Sequence, residues 1–343
     1  MPETLITIAI PTKDSAKTVE YTLKSIYRQV IPRNYALELV VVDGYSKDST
    51  VKIVKEWIKK LKDRLGDRLI RYEILYEKVG IGFARQLALK ESQGDWILWV
   101  DSDNILSQNY IAEAMNALEY SEPNVAVLYP KEVKPIYDKP SLTRRALLCL
   151  YLLQQHHASM QALLNAVLEK LETSSIHRYL PYTAMQGTLC NTKVLRDVGG
   201  FDHRLAAAAE DIDLFLRLIN KGYRMKPFNG VLYHFIRDTF RSWFKEAIAW
   251  DLGKQFVLSK FRACQDTTTR NLKGFPSIKI YGRLTTSAIN FIKHLCCVKV
   301  CGLYGLLSPW LYIYRRAGYL IGILEGRIYN EYRHKRCVDN GTL

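Results

Sequence analysis

The first hundred residues alternate short apolar runs with longer segments in which apolar residues recur every three or four positions. Helical periodicity begins near Ser15, Ser49 and Gly82. The apolar runs predict strands at LITIAI (5–10), LELVVVD (37–43), LIRYEIL (69–75) and WILWVD (96–101). This strand–helix alternation predicts an α/β fold whose mostly parallel sheet carries helices on both faces.

Polar residues follow three of the predicted strands at the point where each strand ends. Pro11 and Thr12 follow the first strand, Asp43 ends the second, and Asp101 and Asp103 follow the fourth. Parallel strands bring their carboxyl ends to one edge of a sheet, and ligands bind at that edge. There the Asp43 carboxylate can accept hydrogen bonds from a base or a ribose.

Asp101 and Asp103 are two acidic groups one residue apart, directly after an apolar run. Carboxylates this close repel each other unless a cation neutralises them, and Mg²⁺ or Mn²⁺ binds such groups together with substrate phosphates. The alternative is a turn in which both aspartates cap a helix beginning near Ser107. The motif alone leaves both interpretations open.

The segment VGIGFARQLAL (79–89) has glycines in the style of a dinucleotide-binding motif, but it lacks the third glycine. Such a motif also belongs after the first strand, where this chain has PTKD. The sequence therefore argues against NAD binding. Arg85, near the start of the third helix, is expected to face a phosphate instead.

A second acidic cluster lies at Glu210, Asp211 and Asp213, at the start of the helical pattern DIDLFLRLINKG. Gly199–Gly200 is expected to end a short helix before it. Helix capping explains some of these acids, but three in four residues exceed what capping needs. If this helix start faces the strand ends, one carboxylate can act as general base on an acceptor hydroxyl.

Charge is distributed unevenly along the chain. Residues 1–220 hold 28 Lys and Arg against 27 Asp and Glu, whereas residues 221–343 hold 21 against 7. The longest uncharged run of this basic tail, Val300 to Tyr314, has 15 residues and is shorter than the roughly 20 that cross a bilayer. Its tyrosines and Trp310 beside basic residues indicate an interfacial segment on an anionic membrane surface. The alternative is a buried C-terminal helical pair.

The composition of the tail and of the N-terminal residues also indicates which partners and which cellular location to expect. Its aromatic residues lie within apolar runs rather than among exposed basic residues, so we expect no nucleic-acid partner. The seven cysteines show no zinc-binding spacing, and the N-terminal residues lack the pattern of a signal peptide. The expected location is cytoplasmic, peripheral on the cytoplasmic face of the membrane, which would suit a lipid-linked acceptor.

Six motifs in order carry a resemblance: IAIPTKD, VVDGYSKDST, GFARQLAL, WVDSDN, VGGFD and EDIDLFLRLINKGY. Together they resemble the family 2 glycosyltransferases of the GT-A fold over roughly residues 5 to 235. The resemblance implies a catalytic domain at 1–235 with a helical insertion at about 131–180. Residues 236–343 would form the basic, apolar C-terminal region.

On the donor side, the resemblance implies that Pro11, Thr12 and Asp43 hold the nucleobase and ribose of a UDP- or GDP-sugar. Arg85 would lie near the diphosphate, and Asp101 would contact the ribose or a metal-bound water.

On the reacting side, the resemblance implies that Asp103 coordinates a divalent cation, Mn²⁺ or Mg²⁺, that bridges the diphosphate. Asp211 would be the catalytic base, and Glu210 would orient the acceptor or the loop. His234 falls where such enzymes place a histidine close to the metal or the leaving diphosphate, although a structural role is equally open.

The implied reaction is a single in-line displacement that inverts the anomeric centre. Polymer synthases of this family carry Q-x-x-R-W after the histidine, whereas this chain has HFIRDTFRSW (234–243), so transfer of one sugar is expected. Three alternatives remain: a nucleotidyltransferase of similar fold, a basic protein that binds nucleic acid or membranes without catalysis, and an inactive scaffold.

Overall fold

The computed structural model describes residues 4–136, 184–202, 204–205 and 208–236, together with 239, 245, 248–249, 253, 256–257 and 260. The chain divides into two compact units, residues 1–134 with 180–235 and residues 135–179 with 236–343. All elements of the site described below belong to the first unit. Most of the predicted insertion and the apolar tail segment 300–314 lie outside the described residues.

The strands and helices alternate along the first hundred residues, as the apolar pattern predicts. The strands are Thr4–Thr12 (β1), Tyr35–Asp43 (β2), Leu69–Tyr76 (β3), Trp96–Trp99 (β4), Asn104–Leu106 (β5), Val125–Ile136 (β6), Leu189–Asn191 (β7) and Arg224–Phe235 (β8). The α-helices are Val19–Tyr27 (α1), Thr50–Leu65 (α2), Ile81–Glu91 (α3), Tyr110–Glu119 (α4), Thr192–Asp197 (α5) and Glu210–Asn220 (α6).

The sheet is mixed rather than mostly parallel, which corrects the sequence-based expectation. Its order is β3-β2-β1-β4-β7-β6-β8-β5. The first four strands pair in parallel, as predicted, but β7 is antiparallel to both β4 and β6, and β5 is antiparallel to β8. Because β5 and β7 have only three residues each, they are too short to leave a readable pattern in the sequence.

Alternate residues of the parallel strands pack into the main core. Ile6, Ile8 and Ile10 of β1 belong to one buried cluster with residues of α1, α2 and α4. The residues between them, such as Thr7 and Ala9, are also buried, because a parallel sheet is covered on both faces. The core therefore fixes the directions in which the strand ends point.

Two expected helix starts differ from the structure. The first helix begins at Val19 rather than near Ser15, because the N–H groups of Thr18 and Val19 both donate to the Ser15 carbonyl and form a turn there. The helix expected near Ser107 begins at Tyr110, and β5 separates it from the acidic pair. The alternative in which Asp101 and Asp103 cap this helix is therefore wrong.

The predicted helix end at Gly199–Gly200 is confirmed, since α5 ends just before it. Both glycines have positive φ, 89° and 64°. A Cβ atom at Gly200 would collide with the Gln86 side chain, whose Oε1 accepts a hydrogen bond from the Phe201 N–H (2.7 Å). The loop before α6 is thereby held against α3. Within the described ranges, no helix is both long and apolar enough to cross a bilayer.

Candidate active site

Six of the predicted site residues come together at the carboxyl ends of β1 and β4. They come from one helix interior, one helix start, one loop and one strand: Arg85 (α3), Asp101 and Asp103 (after β4), Glu210 and Asp211 (start of α6) and His234 (β8).

Arg85 is the centre of this group. Its side chain is only 5% exposed; Nη1 donates to Glu210, and Nη2 donates to both Asp101 oxygens (2.9 and 3.3 Å). The attraction of Asp101, Glu210 and Asp211 outweighs burial and raises the pKa of the guanidinium, so it stays charged. In this arrangement, Arg85 neutralises carboxylates and links the loop after β4 to α6.

Glu210 and Asp211 are two adjacent buried acids. Asp211 accepts hydrogen bonds from the N–H groups of Met185 (Oδ2, 3.3 Å) and Ile212 (Oδ1, 2.8 Å). Burial raises the pKa of Glu210 to about 7, to which the neighbouring Asp211 charge adds. Burial also raises the pKa of Asp211, against the opposing effect of Arg85. Raised pKa values of this kind suit carboxylates that exchange protons near neutral pH.

Asp103 and His234 meet beside a residue that sequence reasoning missed, Asn104. In the β5–β8 pair, Asn104 lies opposite His234, and its Nδ2 is 3.0 Å from His234 Nδ1. The same amide lies within hydrogen-bond distance of Asp103 Oδ1 (3.3 Å) and Gln186 Oε1 (3.1 Å). The only signal in the sequence was its place directly after the acidic pair.

The two halves of the cluster are joined through the segment before β7. Met185 binds Asp211 and Gln186 binds Asn104, while the Asn104 Oδ1 accepts from the Asp101 N–H (3.2 Å). With Arg85 between Asp101 and Glu210, these contacts and the backbone links 185–186 and 210–211 form a closed ring, which we call the acidic ring. Its members are Arg85, Asp101, Asn104, Gln186, Met185, Asp211 and Glu210. Displacing one member of the ring therefore disturbs the others.

The nucleotide-side residues form a separate turn at the ends of β1 and β2. Asp43 accepts from the Ser46 N–H (2.8 Å) and from Ser46 Oγ (2.6 Å), and the Gly44 N–H donates to the Thr12 carbonyl. Thr12 Oγ1 is buried and has no hydrogen-bond partner among the residues that the structure describes. Pro11 precedes Thr12 in β1 and is also buried. A contact between the hydroxyls of Ser15 and Ser102 (2.9 Å) connects this turn to the acidic ring.

The donor set around Asp103 fits a hard cation that also binds substrate. Asp103 Oδ1 and His234 Nδ1 are 3.5 Å apart, and both side chains are partly exposed. Within the described residues no group of three His, Cys, Asp or Glu side chains is placed to hold a metal. Mg²⁺ and Mn²⁺ sites often use one or two carboxylates and take their remaining ligands from phosphates and water. Because Asp101 accepts hydrogen bonds from Arg85, Asp103 is the better candidate of the two aspartates for binding a cation.

Comparisons with known proteins give the family. The family model described as "Glycosyl transferase family group 2" matches residues 96–324. A second family model, described as "Glycosyl transferase family 2", matches residues 7–173. Relatives include the poly(ribitol-phosphate) beta-N-acetylglucosaminyltransferase TarS of Staphylococcus aureus, 29% identical over 37% of this chain and 21% of that protein. The probable glycosyltransferase YdaM of Bacillus subtilis is 23% identical over 75% of this chain and 57% of that protein. This chain thus spans about a fifth of TarS.

Among solved structures, the mannosyltransferase PcManGT from Pyrobaculum calidifontis in complex with GDP-Man and Mn²⁺ matches with a TM-score of 0.58 at 17% identity. The match covers 92% of this chain and 86% of that one. This similarity supports the expected GT-A type of α/β fold. The roles of the individual site residues stay predictions. Together, the ordered motifs and the family models show that the chain belongs to the family 2 glycosyltransferases.

Proposed function

We propose that the chain transfers a single sugar from a UDP- or GDP-sugar to an acceptor hydroxyl or a lipid phosphate, with inversion at the anomeric carbon. The observation that carries this proposal is the acidic ring, in which Arg85 links Asp101 to Glu210 and Asp211 follows Glu210 at the start of α6. It sets a candidate base beside a candidate diphosphate site. Family membership favours this reaction over nucleotidyl transfer and over binding without catalysis.

In the proposed reaction, the Asp211 carboxylate accepts the proton of the acceptor hydroxyl. The acceptor oxygen forms a bond to the anomeric carbon from one side, while the bond from that carbon to the phosphate oxygen breaks on the other. The nucleoside diphosphate leaves with the electron pair. A single displacement of this kind inverts the centre and needs no covalent intermediate.

The other residues bind and orient. Glu210 holds Arg85 in place, and the Met185 N–H fixes one oxygen of Asp211, leaving the carboxylate with a set direction. Asp103, with His234 beside it, would hold Mn²⁺ or Mg²⁺, which supplies Lewis-acid stabilisation of the charge on the leaving diphosphate. The complex of PcManGT with GDP-Man and Mn²⁺ supports a cation in this role.

The acceptor is proposed to be a lipid-linked glycan or a polyprenyl phosphate at the cytoplasmic face of a membrane. Support comes from the excess of basic over acidic residues in 221–343 and from the aromatic residues of the tail. Flotation with vesicles containing anionic phospholipid should bring the full-length protein to the lipid fraction at low salt. Protein that remains wholly with the aqueous fraction would contradict this part of the proposal.

The central test is calorimetric titration with UDP and GDP, with and without Mn²⁺. We expect Mn²⁺-dependent binding of one nucleotide, weakened at least tenfold in Asp103→Ala. The matched control is Asp197→Ala, which removes an exposed carboxylate that pairs with Lys193 on α5 and should bind like wild type. Folded wild-type protein that binds neither nucleotide would contradict the proposed donor class.

A further inference from the structure

A cavity of about 620 Å³ lies where the C-terminal ends of α1 and α2 meet β5, and we call it the α1–α2 cavity. Its volume is in the range of small-molecule sites. None of the described residues that line it belongs to the candidate active site. It is therefore a second candidate binding site in the same unit of the chain.

The lining of this cavity is cationic. Lys24, Arg28 and Arg64 all line it, and no acidic residue of the described ranges does. The ion pairs found among the described residues also include none of these three cations. Positive charges that converge on a cavity without carboxylates favour an anionic ligand there.

The positions of the three cations at helix ends explain only part of this charge. Lys24 lies in the last turn of α1, Arg28 follows the end of that helix, and Arg64 lies in the last turn of α2. Each helix C-terminus carries about half a negative charge, so the two ends together balance about one of the positive charges. The remaining charge is available to a ligand.

Arg64 is held in place for such a role. Its Nη2 donates to the Gln29 carbonyl (2.9 Å), and its guanidinium carbon is 4.9 Å from the centroid of the Tyr27 ring. Tyr27 in turn packs edge-on against Trp57, with the ring centroids 5.8 Å apart. Because a guanidinium carries several N–H groups, Arg64 retains donors for a phosphate while these contacts fix its position.

The same cavity also has an apolar side. Ile105 and Leu106 of β5 line it, together with Tyr21, whose side chain is 44% exposed. Val30, which is 48% exposed, lies next to the lining residue Gln108, since the Val30 N–H donates to the Gln108 carbonyl (3.4 Å). Exposed aromatic and apolar side chains beside cations are typical of surfaces that contact the headgroup region of a bilayer.

We propose that the α1–α2 cavity binds the phosphate headgroup of an anionic lipid, with the three cations around the phosphate and Ile105 against the acyl chains. A free phosphate would leave the apolar side of the cavity uncovered. The inference goes beyond sugar transfer, because it assigns a second site. Ile105 directly follows Asn104 of the acidic ring in β5. A lipid bound here would therefore hold the candidate active site close to the membrane surface.

The test is calorimetric titration of full-length protein with dihexanoyl phosphatidylglycerol, kept below the concentration at which it forms micelles. Monomeric lipid separates binding in this cavity from attraction of the basic tail to a bilayer. The double variant Lys24→Gln, Arg28→Gln should bind about tenfold more weakly or worse, because two charged contacts to the phosphate are lost. Both side chains are exposed, so these substitutions should leave the fold intact.

The matched control is the double variant Lys52→Gln, Lys59→Gln, which removes two exposed charges of α2 that do not line the cavity. It should bind like wild type. Equal losses of affinity in the two double variants would contradict the proposed site, as would folded wild-type protein that binds no lipid. Neither result affects the nucleotide titration, so the proposed sugar transfer is judged separately.

A second ligand tests whether the cavity takes a lipid rather than a free phosphate. Glycerophosphoglycerol has the same phosphodiester headgroup but no acyl chains. It should bind at least about tenfold more weakly than the lipid, because even a short buried stretch of acyl chain contributes that much. Equal affinity for the two ligands would overturn the assignment to a lipid.

Discussion

Two buried glutamates of the same domain, Glu38 and Glu210, each pair with an arginine, yet their surroundings differ. Glu38 lies in the first half of β2, and its oxygens accept from Arg71 (2.5 Å), Thr7 Oγ1 (2.5 Å) and the Gln93 N–H (2.7 Å). Glu210 pairs with Arg85 beside a second buried acid, Asp211.

The two networks differ in how fully their buried polar groups are hydrogen-bonded. The hydrogen bonds around Glu38 join β2 to β1, to β3 and to the segment between α3 and β4. Around Glu210, two buried acids lie near one guanidinium, and Arg85 Nε is buried with no partner in the described part of the chain. A fully satisfied polar network stabilises a fold, whereas unsatisfied buried groups need an explanation, for which a ligand is one candidate. We therefore interpret the Glu38 network as structural and the Arg85 network as functional.

The largest expected effect is a loss of kcat, which should occur on substitution of Asp211 but not of Asp213, an acid of the same helix turn. Asp211→Asn should lower kcat about 10²- to 10⁴-fold, because it removes the proposed base. Its free energy of unfolding at pH 8 should change little, because removal of the buried charge offsets the loss of one acceptor for the N–H groups of Met185 and Ile212. Steady-state kinetics and urea unfolding measure both quantities.

Asp213→Asn is the matched control. Asp213 is buried and pairs with Arg217 (2.8 Å), four residues further along α6. We expect lower stability with kcat per folded molecule unchanged. The opposite pattern, with Asp213→Asn inactive and Asp211→Asn active, would exchange the roles assigned to the two residues.

The next largest effect is a loss of stability, which should be greater for substitution of Arg85 than for substitution of Arg71. Arg85→Met leaves Asp101, Glu210 and Asp211 without their cation and should cost about 3–5 kcal/mol of unfolding free energy, as is usual when one partner of a buried ion pair is removed. Arg71→Met should cost less, because Arg71 is 26% exposed and Glu38 keeps its other two donors. Urea unfolding followed by circular dichroism tests the ranking, and equal losses would contradict it.

A smaller effect compares two buried threonines of β1. Thr7→Val should cost about 1–3 kcal/mol, because Thr7 Oγ1 donates to Glu38 and accepts from the Gly94 N–H (3.0 Å). Thr12→Val should cost almost nothing, since Thr12 Oγ1 has no hydrogen bond to lose within the described ranges. Nucleotide affinity should show the reverse order, roughly 2- to 10-fold weaker for Thr12→Val and unchanged for Thr7→Val. Thermal unfolding and calorimetry measure the two effects.

The last prediction is a pH dependence of stability. Burial raises the pKa of Glu210 from 4.5 to about 7, so the folded state holds this proton more tightly than the unfolded chain. Stability from this source is fully present below pH 4.5 and is lost as pH rises through about 7. Glu210→Gln should reduce the fall in unfolding free energy between pH 5 and pH 8. An identical slope in both proteins would show that Glu210 does not titrate in this range.

The strands and helices whose apolar residues recur at a regular period were the features predicted most accurately from the sequence. The end of β2 at Asp43 and the acids at the start of α6 occur where apolar periodicity placed them. β1 was predicted to end at Ile10 and continues to Thr12, so Pro11 and Thr12 lie within the strand rather than after it. The antiparallel half of the sheet could not be predicted, because β5 and β7 are too short to show a period and pairing direction is not encoded locally. Arg85 was identified from its motif, but its carboxylate partners depend on tertiary packing. Asn104 and Met185 were missed for the same reason.

The contact between Arg85 and Glu210 joins residues 125 positions apart. Contacts of such long sequence separation form late in folding, because the chain must first close a large loop. During synthesis, Arg85 leaves the ribosome well before either acid of α6 and remains without those partners until more than a hundred further residues follow. The cluster around Arg85 is thus expected to be among the last parts of this domain to form, after the parallel strands that support it.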